Sequence, residues 1–443
     1  MKKSRFIILS VLSAMALTSC SLFKDDDIVV ENHFNEKGKT ADQSTAEAKI
    51  GDVESQRLDD FPNTLVFKNI VYSNMEGNKI ENTYTTAKGC AFNVNSGNDY
   101  DVDKNNNNFD LYVPDNASKT DDINIVLFIH GGAWVSGLKT HVNPYVKEFA
   151  KNGYIAATLE YTLLNADVLD ETKTDKSAKD SPLSVFRDLD EIDACITTMK
   201  ESLKSLGFNE SKLHLVLGGA SSGAHLAMLY AYSRYASCEL PIKFLIDVVG
   251  PTDINPDNWK AFVNPADAEA SQDAIKSTNI ESKRLSDGLA DLPVSGMGYR
   301  WNEYQTMRIA NGMAGVPYSL EEIETITNGD KTAVTVSGRT TEMYKKLVSN
   351  SESAEKLLSV TYHLKNLADA GTKIPVLCAY AGKDAVVGVA QYANLENAFS
   401  SNSYTTDEYD FTYFMNCGHV NLDTDTTTYN AFIAKILNWM ATK

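Results

Sequence analysis

A serine set among small residues, Gly219-Ala220-Ser221-Ser222-Gly223, lies where the apolar run 212–217 gives way to a pattern with one apolar face over residues 222–235. Strand, tight turn and helix in that order are what a G-x-S-x-G nucleophile requires, because small neighbours let the backbone turn sharply and lift the serine Oγ clear of it. Alone, the five residues are only a glycine-rich turn. A serine hydroxyl is a poor nucleophile without a base, and the base needs a carboxylate to orient it. Two further apolar runs supply candidates: residues 374–381 lead into Gly382-Lys383-Asp384, and residues 411–415 into Asn416-Cys417-Gly418-His419. A third run, 123–129, leads into His130-Gly131-Gly132-Ala133-Trp134, where glycines let backbone N–H groups approach a developing oxyanion. Together these residue types point to acyl transfer through an acyl-enzyme.

The chain holds seven histidines, and only His419 follows Asp384 at the end of an expected strand. His225, one turn beyond Ser221, is expected to pack or to bond locally. For the acid, Asp253 in Gly250-Pro251-Thr252-Asp253 also ends an apolar run and competes with Asp384, although a carboxylate at such a place often caps a helix. Trp134 has two readings, a pocket wall or a packing residue of its loop.

Positioning these groups is the work of alternating elements. Strands are expected at 65–73, 108–113, 123–129, 154–163, 212–217, 244–250, 374–381 and 411–415, with helices near 144–151, 184–207 and 222–235. Strands alternating with helices imply an α/β fold, a mostly parallel central sheet with helices on both faces. The alternation stops after Asp253 and resumes near residue 367, which marks residues 255–367 as an inserted cap, with helical stretches at 318–327 and 341–349. Its polar and small residues offer no apolar helix to line a long acyl trough, so a short acyl pocket is expected.

In these motifs the chain resembles α/β-hydrolases of the esterase/lipase group, the hormone-sensitive-lipase-like carboxylesterases and bacterial acetyl and feruloyl esterases, over residues 61–443. The resemblance implies Ser221 as nucleophile, His419 as base and Asp384 as its acid. It also implies an oxyanion hole from the amides of Gly132, Ala133 and Ser222, with Gly131 as a further candidate. Ala133 stands where lipase-like members have a third glycine, which is nearer the HGGAW form of the acetyl/feruloyl branch. Val420 and Asn421 depart from the small or aromatic residue that often follows the histidine.

Residues 1–19 read as a signal peptide, with Lys2, Lys3 and Arg5 before an apolar core at 6–17. Leu17-Thr18-Ser19-Cys20 resembles a lipobox, which implies lipidation of Cys20 and an anchor without a spanning helix; an ordinary secretory signal is the alternative. Residues 20–60 read as a flexible tether ahead of a domain at 61–443. Lys24-Asp25-Asp26-Asp27 resembles a surface-export signal, so the protein is expected at a bacterial outer membrane, facing the periplasm or the cell surface.

Losing the three signal-peptide cations would take the formal net charge from −18 to about −21, which with no basic cluster argues against nucleic acid. Cys90, Cys195, Cys238, Cys378 and Cys417 show neither disulfide-framework nor zinc spacing. The acidic-asparagine tract at 99–110 lacks the glycine and glutamate spacing of a calcium loop. No metal or cofactor is called for. The expected partner is a small ester or an acylated polysaccharide, apart from the membrane itself. A serine peptidase or amidase, or a catalytically idle binding module on the same fold, remains the alternative.

Overall fold

Side-chain alternation along the strands decides where the core lies. The computed structural model describes residues 47–59, 61–72, 107–134, 137–163, 185–253, 354–382, 384, 387, 389–419 and 421–443. Its strands are β1 (Lys49–Ile50), β2 (Val53–Glu54), β3 (Gln56–Leu58), β4 (Phe61–Val71), β5 (Asn108–Pro114), β6 (Ile123–Ile129), β7 (Ile155–Glu160), β8 (Leu213–Ala220), β9 (Ile242–Val248), β10 (Val376–Ala381) and β11 (Tyr409–Phe414). Nine of them form one sheet in the order β11-β10-β9-β8-β6-β7-β5-β4-β3. The strands from β11 to β7 in that order run parallel, and β5, β4 and β3 continue the edge by antiparallel pairing.

β6 is buried along its whole length, as a central parallel strand must be. Ile123, Ile125, Leu127 and Ile129 point into one apolar layer, and Val126 and Phe128 into the other. The first layer is closed by α2 (Val185–Ser205), α3 (Ser222–Arg234), α5 (Val360–Asp369) and α6 (Val389–Ser401), with the short α4 (Ala354–Leu357) leading into α5. The second is closed by α1 (Asn143–Lys151) and α7 (Thr426–Thr442). This is the α/β-hydrolase arrangement, with helices on both faces of a mostly parallel sheet. Among the described residues no helix is long and apolar enough to cross a membrane.

Two boundaries differ from the sequence reading. The tether assigned to residues 20–60 includes β1, β2 and β3. Ile50 is buried there, and Arg57 binds both Glu47 and Asp115, at 2.6 and 2.9 Å. Strands of two or three residues are too short to show a period, so this edge could not be read from alternation. At the other end, residues 354–367 were placed in the inserted cap, yet α5 lies against α3 and buries Val360 and Leu364 in the main core. The rest of the insertion, with its expected helices at 318–327 and 341–349, and most of the 99–110 tract lie outside the described residues.

Candidate active site

Ser221 is the single residue between the end of β8 and the start of α3, with φ 54° and ψ −123°. A non-glycine residue there is strained by about 1–3 kcal/mol and must be held by its surroundings. Its amide donates to Val248 O at 2.8 Å, and its own carbonyl accepts from the amide of His225 at 3.1 Å. The flanking glycines are required by close backbone crossing. A Cβ on Gly219 would fall 2.4 Å from the Gly223 carbonyl carbon, and one on Gly223 would fall 2.2 Å from Ile129 O.

From Ser221 a hydrogen-bonded series runs across the carboxyl ends of three parallel strands, where open α/β sheets place their sites. His419, beyond β11, holds its Nε2 2.9 Å from Ser221 Oγ. Its Nδ1 lies 2.7 Å from Asp384 Oδ2, beyond β10. A carboxylate only accepts, so Nδ1 carries the proton and Nε2 is left to accept from the serine hydroxyl. Asp384 is held in turn by the amide of Val387, which donates to its Oδ1 at 2.8 Å. All three side chains are buried. Asn421, one of the departures from the family pattern, accepts from the amide of Gly418 at 2.6 Å and so fixes the turn that carries His419. Asp253 lies elsewhere, with its Oδ2 accepting from Asn394 at 3.1 Å and its amide donating to Gln391 at 3.0 Å.

The loop after β6 closes over the serine. A Cβ on Gly131 would come within 2.9 Å of Ser221 Cβ. Gly132, Ala133 and Trp134 follow with φ of 134°, 53° and 63°, a left-handed run that turns the backbone sharply next to the nucleophile. Ser222 opens α3 on the other side, so its amide belongs to the unpaired N–H groups of a helix start. Gly131 and Ser222 thus lie beside Ser221, and Gly132 and Ala133 follow Gly131 in the loop.

Residues with no motif of their own hold this loop. His130 stacks on Tyr161 with ring centroids 4.4 Å apart, and its Nδ1 lies 2.8 Å from Gly131 O. Glu160 sits 3.5 Å from His130 Nε2 and accepts from the amide of Lys139 at 3.0 Å. The Lys139 ammonium is buried and donates to Asn69, Asp110 and Asn108. Gly137, at φ 107°, passes so close that a Cβ would meet Gly131 O at 2.2 Å and His130 Nδ1 at 2.4 Å. The sequence reading overlooked Gly137, Glu160 and Lys139. The G-x-x-x-x-x-G spacing from Gly131 to Gly137 was the one available signal. Among the described residues Trp134 packs, its ring and that of His225 meeting edge to face.

Part of the chain matches a known family. Residues 109–286 match the BD-FAE family model, a span that holds His130 to Trp134 and Ser221 and stops before Asp384 and His419. BD-FAE is an α/β-hydrolase esterase family, and the chain resembles it over that span. The chain is 26% identical over 154 residues to a non-reducing polyketide synthase of Stereocaulon alpinum, covering 34% of this chain and 6% of that one. It is 24% identical over 217 residues to another of Preussia isomera, covering 48% of this chain and 8% of that one. It therefore spans less than a tenth of the length of the curated relatives it matches. Among solved structures it is similar to esterase B from Lactobacillus rhamnosis (13% identity, 86% of each chain, TM-score 0.46). It is also similar to carboxyl esterase 2 from Tuber melanosporum (14% identity, 76% of this chain and 82% of that one, TM-score 0.46).

Proposed function

We propose that this protein is a serine carboxylesterase acting on short-acyl esters, and the observation that carries the proposal is the series Ser221 Oγ, His419 Nε2, His419 Nδ1, Asp384 Oδ2 at 2.9 and 2.7 Å. His419 takes the proton as Ser221 attacks the ester carbonyl, and the oxygen of the tetrahedral intermediate turns toward the amides of Gly132, Ala133 and Ser222, with Gly131 adjacent. Collapse expels the alcohol, which receives the proton back from His419. Water then repeats the sequence on the acyl-enzyme. Asp384 keeps the imidazole in the required tautomer and offsets the charge it gains. Each well-aimed oxyanion donor is worth roughly 10²–10³ in rate.

The BD-FAE match supports ester hydrolysis as the chemistry. For the substrate we propose acetyl or feruloyl groups on a polysaccharide, which suits an HGGAW loop on a chain with an export signal. For location we propose a lipid anchor at Cys20 in a bacterial outer membrane, facing the periplasm or the cell surface. The test is turnover of p-nitrophenyl acetate, p-nitrophenyl decanoate and acetylated xylan by wild type and by Ser221→Ala. The acetyl substrates should be favoured, and Ser221→Ala should lose on the order of 10³-fold or more. Full activity in Ser221→Ala would end the serine reading, and a preference for decanoate would end the short-acyl one.

A further inference from the structure

His225 is fully buried on α3, one turn beyond Ser221, and both of its ring nitrogens are engaged. The indole N–H of Trp134 can only donate, and it lies 3.2 Å from His225 Nδ1. Nδ1 is therefore the acceptor, and the ring proton sits on Nε2, which donates to Leu358 O at 2.8 Å. The rings of Trp134 and His225 meet edge to face, with centroids 5.2 Å apart at 87°. Burial lowers the imidazole to about 4, so the ring stays neutral where an esterase would work and is no second base.

Three pieces of chain meet on this ring. Trp134 ends the left-handed run that begins at Gly132, so the position of its indole fixes where the Gly132 and Ala133 amides lie. The helix that carries His225 also carries Ser222 at its first position, and its turn bonds back to the Ser221 carbonyl. Leu358 joins α4 to α5. Without the imidazole, Trp134 would keep its packing but lose a directional bond between the loop and the nucleophile helix.

We propose that His225 is a positioning residue for the oxyanion hole: by accepting from Trp134 and donating to Leu358 it locks the loop 131–134 to the nucleophile helix, and it touches neither substrate nor the reacting atoms. The inference rests on the serine esterase reading.

The test uses the full-length protein with p-nitrophenyl acetate and a trifluoromethyl ketone, whose hemiketal adduct with a serine places an oxyanion where the intermediate's would be. His225→Leu should lower kcat on the order of 10–100-fold with KM within about twofold, and should weaken the ketone by a similar factor. Trp134→Phe keeps an aromatic ring in the loop but removes the N–H together with the pyrrole half of a buried indole, so it should reproduce much of that loss in kcat, and the melting temperature read beside it gives the packing cost. This variant serves if His225→Leu does not fold. The double variant should lose little more kcat than His225→Leu, because the bond that Trp134→Phe removes is one of the two already lost with His225. His225→Asn, which retains an acceptor near Nδ1, should recover part of the rate. Unchanged kcat in Trp134→Phe, losses that multiply in the double variant, or a fall in kcat with ketone affinity intact would each overturn the proposal. If Ser221→Ala is inactive and these variants are not, only this inference falls; if Ser221→Ala is fully active, both fall.

Discussion

Asp384 and Asp253 both follow an apolar run, and only one lies against His419. Asp384→Asn should therefore cost roughly 10³-fold in kcat, through loss of the acceptor that fixes the imidazole tautomer. Asp253→Asn should cost less than tenfold, because its carboxylate serves Asn394 and Thr361. Steady-state turnover of one acetyl ester ranks the pair, and the reverse ranking would move the acid role to Asp253. Gly223→Ala tests the serine turn in another way. Its Cβ would strike Ile129 O and His130 O, backbone atoms that the sheet cannot move, so a loss of about 1–3 kcal/mol or more in stability is expected along with loss of turnover. Thermal melting separates that from a purely chemical defect. At this scale the sequence was most informative where chemistry demands a short pattern. Ser221, His130 to Trp134 and His419 stand inside such patterns. Glu160 and Lys139 do not, because buried polar pairing depends on residues distant in the chain, and Gly137 shows only as a spacing from Gly131 within its own loop.

The elements were legible in proportion to their burial. Strands such as β6 and β8, covered on both faces, announce themselves as unbroken apolar runs, and each observed boundary falls within a few residues of the expected one. The small β1–β2 pair, edge strand β3 and helix α5 fall in segments with other expected roles, since length and exposure hide the strands and adjacency to a long insertion hides the helix. Where β9 and β10 lie side by side, a buried carboxylate makes the elements sensitive to pH. Asp247 is pushed up to about 7, chiefly by burial, against the pull of the Tyr380 hydroxyl and the Gly250 amide, which donate to it at 2.6 and 2.9 Å. Its folded value lies above its unfolded one, so between about pH 4 and pH 7 the folded chain holds the extra proton, and stability falls as pH rises through that window. The slope contributed is at most about 1.4 kcal/mol per pH unit. Asp247→Asn should remove it. Urea unfolding at pH 5 and pH 7.5 checks this, and the variant should lose less stability between the two than wild type does.

For the whole molecule, attachment is the property furthest from the sheet. Cys20→Ala should move the protein from the membrane fraction to the soluble or unprocessed one, because acyl chains contribute about 0.8 kcal/mol per buried methylene and a stable anchor needs more than one chain. Cell fractionation with an antibody to the folded domain decides it, and an unchanged distribution would remove the anchor. The feature with the widest reach is the order in which the site's parts occur. Ser221 and His419 are 198 residues apart, and the histidine follows the last strand of the chain, at the outer edge of the sheet. Domains made from the amino end gain β6 and β8 early, and with them the serine turn. A chain that has stalled, or has been cut short of residue 419, holds a nucleophile without a base. On the proposed chemistry such fragments do not hydrolyse esters, and the first turnover of each molecule reports that His419 has been made and docked against Ser221.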